Sequence, residues 1–310
     1  MKVLVLLSSF RGRSFIDRQI ESILGQKAVD LRLVVRDDGS DDDTAALVEA
    51  MASIDSRIVL IKGKNIGVVA SFFELLKTDE AAGASFVALA DQDDIWPPDR
   101  LARQLAALAA LPSTEPALCY GGFLRVDADG LPMDDRPVLP PLPDKGALLS
   151  ENQVPGCTMV MNRAGCRIVS ASLPPPDRIF AHDWWIEQVI AFIGTVIRVD
   201  DVVIHYRQHG ANLIGVPSDF GIWRDRLARI RKLRGRHPLL AQVRELHRRF
   251  GDRMCAADRA LIERFMQAAG GGFGQRLARV LSPDFRRARR SDDLFLRLLL
   301  LTGYFRSPAP

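Results

Sequence analysis

Cysteine is scarce and unpatterned. Cys119, Cys157, Cys166 and Cys255 form no CxxC pair and show no zinc-like spacing with histidine. A disulfide framework and a structural zinc module are therefore excluded, and reduced thiols in a cytoplasmic setting are expected. No run reaches the ~18 apolar residues of a membrane span. The opening run, residues 3–7, meets Ser8-Ser9-Phe10-Arg11 at once, without a small-residue cleavage pattern. It reads as a buried first strand rather than a signal peptide. No internal repeat and no nucleic-acid-binding motif is present.

What is there is a chain of 310 residues, 47% hydrophobic, long enough for one large or two modest domains. The net charge of +4 is unevenly spread. Residues 216–310 hold 21 basic and 9 acidic side chains, a net +12, and residues 1–215 hold 21 and 29, a net −8. This predicts a domain over 1–215 that uses acidic groups and a basic helical extension over 216–310.

Apolar spacing predicts strands at 2–7, 31–35, 58–61 and 86–90, alternating with helices at 15–24, 44–51, 69–76 and 101–111. That order is α/β, with a parallel sheet and right-handed crossovers. A strand follows at 117–126, then a proline-rich loop at 131–145, read as a surface loop or a lid. Residues 154–162 are mixed strand and turn, 181–192 a helix and 195–203 a strand. Beyond 222 the chain is helical and arginine-rich.

Three carboxylates crowd into Asp91-Gln92-Asp93-Asp94-Ile95-Trp96, directly after an apolar strand. Close like charges need a cation or hydrogen bonds to offset them, and ligands bind at the carboxyl edge of such sheets. A metal–phosphate site is one reading; an acidic turn capping the helix after Pro97-Pro98 is the other. Asp37-Asp38-Gly39-Ser40 ends another strand at the same edge, so both acidic turns face one ligand if the sheet is parallel. Alone, it is equally ordinary turn and cap material.

The order of Ser8-Ser9-Phe10, Asp37-Asp38-Gly39-Ser40, Asn65-Ile66-Gly67, Asp91-Gln92-Asp93-Asp94-Ile95-Trp96 and His182-Asp183-Trp184-Trp185 resembles family 2 glycosyltransferases over residues 1–215, in particular their rhamnosyltransferase-like branch. The resemblance implies a GT-A fold: a Rossmann-like mixed sheet flanked by helices, here with a helical C-terminal extension. It implies a nucleotide-sugar donor, Mg²⁺ or Mn²⁺, and inversion at the anomeric carbon. By the same resemblance Ser8, Ser9, Phe10, Asp37, Asp38 and Asp91 hold the nucleotide. Asp93 and His209 hold the metal, and Asp183 is the catalytic base. Gly156, Cys157, Trp184 and Trp185 lie along the acceptor. Phe10 and Arg11 depart from the Tyr-Asn the family usually carries there. The implied reaction moves a sugar, best matched by L-rhamnose from a dTDP donor, to a glycan or lipid-linked acceptor of bacterial surface polysaccharide. A UDP-hexose donor is the alternative within the family. Phosphoryl or nucleotidyl transfer and nucleotide-sugar binding without catalysis are the alternatives outside it.

The basic extension includes Arg286-Arg287-Ala288-Arg289-Arg290 and an apolar stretch at 294–301. It reads first as a solvated surface or a contact for a second copy of the chain, and next as a contact for an anionic membrane; the enzyme is expected in the cytoplasm, peripheral at the inner face of the cell membrane in the latter case. Nucleic acid ranks last, because aromatic residues are sparse among the arginines.

Overall fold

The computed structural model describes residues 2–209, 238–287 and 290–305. The domain boundary expected at 215 and the arginine runs at 224–232 lie outside the described residues. Chain contacts divide the molecule into two units. One comprises Met1–Leu142, Gln153–Leu173 and His182–His209; the other comprises Pro143–Asn152, Pro174–Ala181 and Gly210–Pro310.

The first unit is built on a seven-stranded sheet. In chain order its elements are β1 (Lys2–Ser9), α1 (Ile16–Leu24), β2 (Asp30–Asp37), α2 (Thr44–Ile54), β3 (Ile58–Lys62), α3 (Val68–Leu76), α4 (Asp79–Gly83), β4 (Phe86–Ala90), α5 (Arg100–Ala109) and β5 (Ala117–Val126). The short α6 (Lys145–Leu148) belongs to the second unit. The first then continues with β6 (Val160–Asn162), α7 (Arg163–Ser170), α8 (His182–Ile193) and β7 (Thr195–Arg207). The strand order is β3-β2-β1-β4-β6-β5-β7. β1 pairs in parallel with β2 and β4, and β2 with β3. β6 runs antiparallel to β4 and β5, and β5 pairs in parallel with β7. The sheet is therefore mixed, as expected.

The apolar runs explain the arrangement. Val3, Leu4, Val5, Leu6 and Leu7 are all buried, as in a strand covered on both faces. Ile16, Ile20 and Ile23 of α1 recur at steps of four and three, and all pack into the core. Register then sets the site edge: Ser9 lies opposite Asp37, and Leu7 opposite Ala90. The carboxyl ends of β1, β2 and β4 meet there.

One segment settles between two readings and one runs longer than its pattern. Residues 131–145 are fastened to β5, with bridges Val126–Pro132 and Phe123–Val138; Phe123 and Val138 exchange both backbone bonds at 2.9 and 2.8 Å. That favours the surface-loop reading over a lid. β7 extends to Arg207, four residues past the run read as a strand, because its end pairs with β5 and with the acidic loop.

The second unit holds α9 (Leu239–Phe250), α10 (Ala256–Gly270), α11 (Phe273–Val280) and α12 (Arg290–Thr302). Leu240, Val243, Leu246, Ile262, Phe265 and Leu296 are buried in it. Glu245, 3% exposed, accepts from Arg178, Arg248 and Arg249. The described helices are too short and too polar to cross a membrane.

Candidate active site

The acidic loop after β4 is held from four directions. Gln92 clamps Phe10: the Phe10 N–H donates to Oε1 at 2.8 Å, and Nε2 donates to the Phe10 carbonyl at 3.1 Å. Gln19 of α1 donates to the Asp91 carbonyl at 2.9 Å. Ser22 accepts from the Trp96 N–H at 3.0 Å. From the far end of the chain, Ile95 and His205 exchange backbone bonds at 3.1 and 2.8 Å. The Arg207 guanidinium donates to the Asp93 carbonyl at 2.7 Å.

The three carboxylates in this loop have different surroundings. Asp93 Oδ2 lies 2.8 Å from His209 Nε2. The His209 ring is tilted against Phe15, 4.5 Å between centroids. Asp91 is half-buried, and burial, with the charges of Asp93 and Asp183, pushes its carboxyl up to about 7. Asp94 is fully enclosed and accepts from the Arg207 N–H at 3.2 Å. Burial drives its carboxyl well above the usual range. The cap position before α5 is occupied by Asp99, so Asp94 is not the helix cap.

Beneath these acids lie Cys157 and Arg100. Burial raises the Cys157 thiol well above its ordinary value, so it stays protonated at neutral pH. Arg100 is completely buried, 3.6 Å over the Trp96 ring, and its Nε donates to Gln104. Burial lowers it to about 9, against the pull of the nearby acids. Asp91, Asp94 and Cys157 bring their ligand atoms within 4.8 Å of one another. A protonated, enclosed thiol is a poor partner for a hard cation. Asp93 with His209 offers one oxygen and one imidazole nitrogen at the rim, a donor pair that suits Mn²⁺ better than Mg²⁺.

The other acidic turn is built differently. Asp37 accepts from the Ser40 N–H at 3.0 Å and the Ser40 hydroxyl at 2.6 Å. Asp38 accepts from the Ile66 and Gly67 N–H groups at 2.9 and 2.8 Å and pairs with Arg36. Both carboxylates are 3% exposed, so they offer a ligand almost no surface. They shape the turn: Gly39 adopts a φ of 78°, and a side chain there would meet the Asn65 nitrogen at 2.7 Å. Ser8 shares a hydrogen bond with Ser71 at 2.6 Å, and Ser9 lies against Asp37, 3.4 Å away. Phe10, 38% exposed, presents its ring at the rim.

Asp183 stands in the first turn of α8. Its Oδ2 accepts from the Gly156 N–H at 3.1 Å and its Oδ1 from the Trp184 N–H at 2.8 Å. His182 beside it stacks on Phe72, 3.8 Å between centroids, and burial lowers its imidazole below the ordinary value. The chain thus brings together Asp91, Asp93, His209, Gly156 and Asp183. It encloses Trp184, Trp185 and Cys157 at 4%, 0% and 2% exposure. Those three side chains pack as core, and an acceptor stacked on either tryptophan would meet closed surface. The expectation of direct acceptor contact fails for them on burial alone.

Sequence reasoning missed Arg207, Arg100 and Glu187. Arg207 lay in a polar run without a pattern. Arg100 and Glu187 looked like ordinary surface charges of helices, and only their burial marks them out.

Comparisons with known proteins bear on the family and the fold. Residues 5–136 match the model of glycosyl transferase family 2. The chain is 23% identical over 309 residues to the dTDP-rhamnosyl transferase RfbG of Shigella flexneri, covering 96% of this chain and all of that one. TarS residues 1–349 of S. aureus, solved in complex with UDP, superpose with a TM-score of 0.56 at 14% identity, over 86% of this chain and 70% of that one. The mannosyltransferase PcManGT of Pyrobaculum calidifontis, solved with GDP-Man and Mn²⁺, gives 0.52 at 18% identity, over 97% and 85%. The fold is the GT-A arrangement expected from the motifs.

Proposed function

We propose, on the premise that this chain is a family 2 glycosyltransferase, that it is an inverting, metal-dependent enzyme of bacterial surface-polysaccharide assembly. The observation that carries the reading is a juxtaposition. Asp183, held by the Gly156 N–H, lies near Asp91, whose carboxyl is raised by burial first and then by the charges of Asp93 and Asp183, and Asp93 on the same loop as Asp91 meets His209 from beyond β7.

The roles follow from chemistry. Asp183 takes the proton of an acceptor hydroxyl as that oxygen attacks the anomeric carbon. The bond from that carbon to the diphosphate breaks, and the nucleoside diphosphate departs with the electron pair. A divalent cation on Asp93 and His209 would supply positive charge at the departing diphosphate. Asp91 faces the ribose side, and Ser8, Ser9 and Phe10 border the base. The catalytic residues all fall within 1–215, which supports treating 216–310 as an extension.

The donor reading is L-rhamnose from a dTDP donor, supported by the likeness to RfbG; a UDP-hexose is the alternative. A thermal-shift screen of nucleotide diphosphates and nucleotide sugars, with and without Mn²⁺, decides it. Saturating donor at about 100 times its Kd should stabilise by about 2.7 kcal/mol. We expect the largest shift with dTDP-rhamnose plus Mn²⁺, and loss of the metal-dependent part in Asp93→Ala. Absence of any metal-dependent shift with any nucleotide diphosphate overturns the proposal.

The extension supplies contact with an anionic membrane, which suits a lipid-linked acceptor. Phe273, Leu277 and Leu281 recur at steps of four and are 64%, 52% and 79% exposed; Leu294 and Leu298 are 72% and 55% exposed. Arg286 and Arg290 are exposed between the two groups. Apolar stripes among arginines are what an anionic lipid surface binds. In flotation, the protein should rise with vesicles containing phosphatidylglycerol and stay down with neutral ones, and Leu277→Glu with Leu281→Glu should abolish binding. Failure to float at low salt, or a dimer that covers these leucines, refutes the membrane reading.

A further inference from the structure

We propose that Glu187 is a positioning residue: it straps the 153–158 segment to α8 so that the Gly156 N–H stays on the Asp183 carboxylate. The proposal rests on the reading of Asp183 as the base.

Glu187 follows Asp183 by four residues, one helical turn, so the two carboxylates lie one above the other on the same side of α8. Glu187 is completely buried. Its Oε2 accepts from the Gln153 N–H at 3.1 Å and from the Val154 N–H at 3.3 Å. Two residues further on, Gly156 donates to Asp183 at 3.1 Å. One face of α8 therefore grips one short segment at two points, through two carboxylates.

The segment between those points is stiff. Thr158 closes the Gly156–Thr158 turn by returning its N–H to the Pro155 carbonyl at 3.0 Å and its hydroxyl to the same oxygen at 2.7 Å. The turn runs straight into β6, which is pinned between β4 and β5. Movement permitted at Gln153 would therefore reach Gly156 as a rotation of the turn, with little slack to absorb it. Gly156 also sets the distance. A Cβ there would lie 2.8 Å from Asp183 Cβ and 3.3 Å from His182 Nε2, so α8 approaches this closely only because that atom is absent.

A carboxylate is costly to bury unless its oxygens are satisfied. Two N–H groups converging on one side-chain oxygen fix its direction as well as its distance, which suits a contact that must hold orientation. Misplacing a reacting group by about 1 Å costs on the order of 10²-fold in rate.

The test compares Glu187→Leu, Glu187→Gln and Gly156→Ala with Asp183→Asn in steady-state transfer, alongside donor-induced thermal shifts. Glu187→Leu removes the acceptor oxygen at similar volume. We expect kcat to fall on the order of 10²-fold, with donor KM and the donor-induced shift unchanged. Glu187→Gln, which keeps one acceptor oxygen, should recover most of the loss. Should Glu187→Leu not fold, Gly156→Ala opens the same strap from the other side and should give the same split. Wild-type kcat in Glu187→Leu or, where that variant does not fold, in Gly156→Ala overturns the proposal. So does a parallel fall of kcat, donor binding and Tm, the mark of a purely structural glutamate. An active Asp183→Asn would instead remove the base assignment, so the two failures are told apart.

Discussion

Asp183→Asn is expected to remove turnover by ~10²–10⁴-fold, the usual worth of a positioned general base, while donor affinity stays near the wild-type level. The asparagine keeps the volume and can still accept one of the two backbone bonds that Asp183 receives from Gly156 and Trp184. It cannot take a proton from the acceptor. The side that becomes an amide nitrogen must face an N–H donor, so one bond is lost; leaving that donor unpaired costs about 1–3 kcal/mol. Thermal denaturation of the variant separates this small loss of order from the large loss of rate. Because the proton moves only in the transition state, kcat and kcat/KM should fall together. Stopped assays that follow release of the nucleoside diphosphate, with isothermal titration of the donor, provide both readings. Wild-type-like rates would take Asp183 out of the role.

The second large effect falls on stability. Asp38→Ala leaves the Arg36 guanidinium, 7% exposed, without its carboxylate, and the Ile66 and Gly67 N–H groups without their acceptors. Breaking a buried pair by removing one partner costs about 3–5 kcal/mol. The urea midpoint of the ligand-free protein should drop accordingly, and the melting temperature by on the order of 10 °C. Were Asp38 chiefly a nucleotide ligand, the reverse would hold: an unchanged midpoint and a weakened donor. The distinction matters because sequence pattern assigns Asp37 and Asp38 to the nucleotide, whereas their side chains are spent on the turn that carries Ser40.

This turn shows where the sequence was readable and where it was not. The first four strands and their helices carry long, one-sided or continuous apolar patterns, and register then follows from burial. The acidic strand ends were visible for the same reason, since they interrupt such runs. Side-chain allegiance within each end was not visible. Asp91, Asp93 and Asp94 look alike in the chain, yet one is half-buried, one meets His209 and one is sealed beneath Arg207. β6 has three residues, too few for a periodic signal. Trp184 and Trp185 were placed along the acceptor by resemblance, but α8 is buried on nearly every side, so no periodic signal in the sequence marked both rings as core. Glu187 and Arg100 were hidden by a sound rule, that such residues are rarely buried; both are exceptions with polar or aromatic partners.

The clamp on the acidic loop also sets a timetable for synthesis. Arg207 and Asp94 are 113 residues apart, and His209 lies farther still from its partner Asp93. At about 5–20 residues per second, the ribosome adds that length on the order of ten seconds after Asp94 emerges. Until then β1, β2, β3 and β4 can pair, but the loop lacks His205, Arg207 and His209. A nascent chain can therefore pair its first four strands well before His209, which follows β7, arrives to meet Asp93.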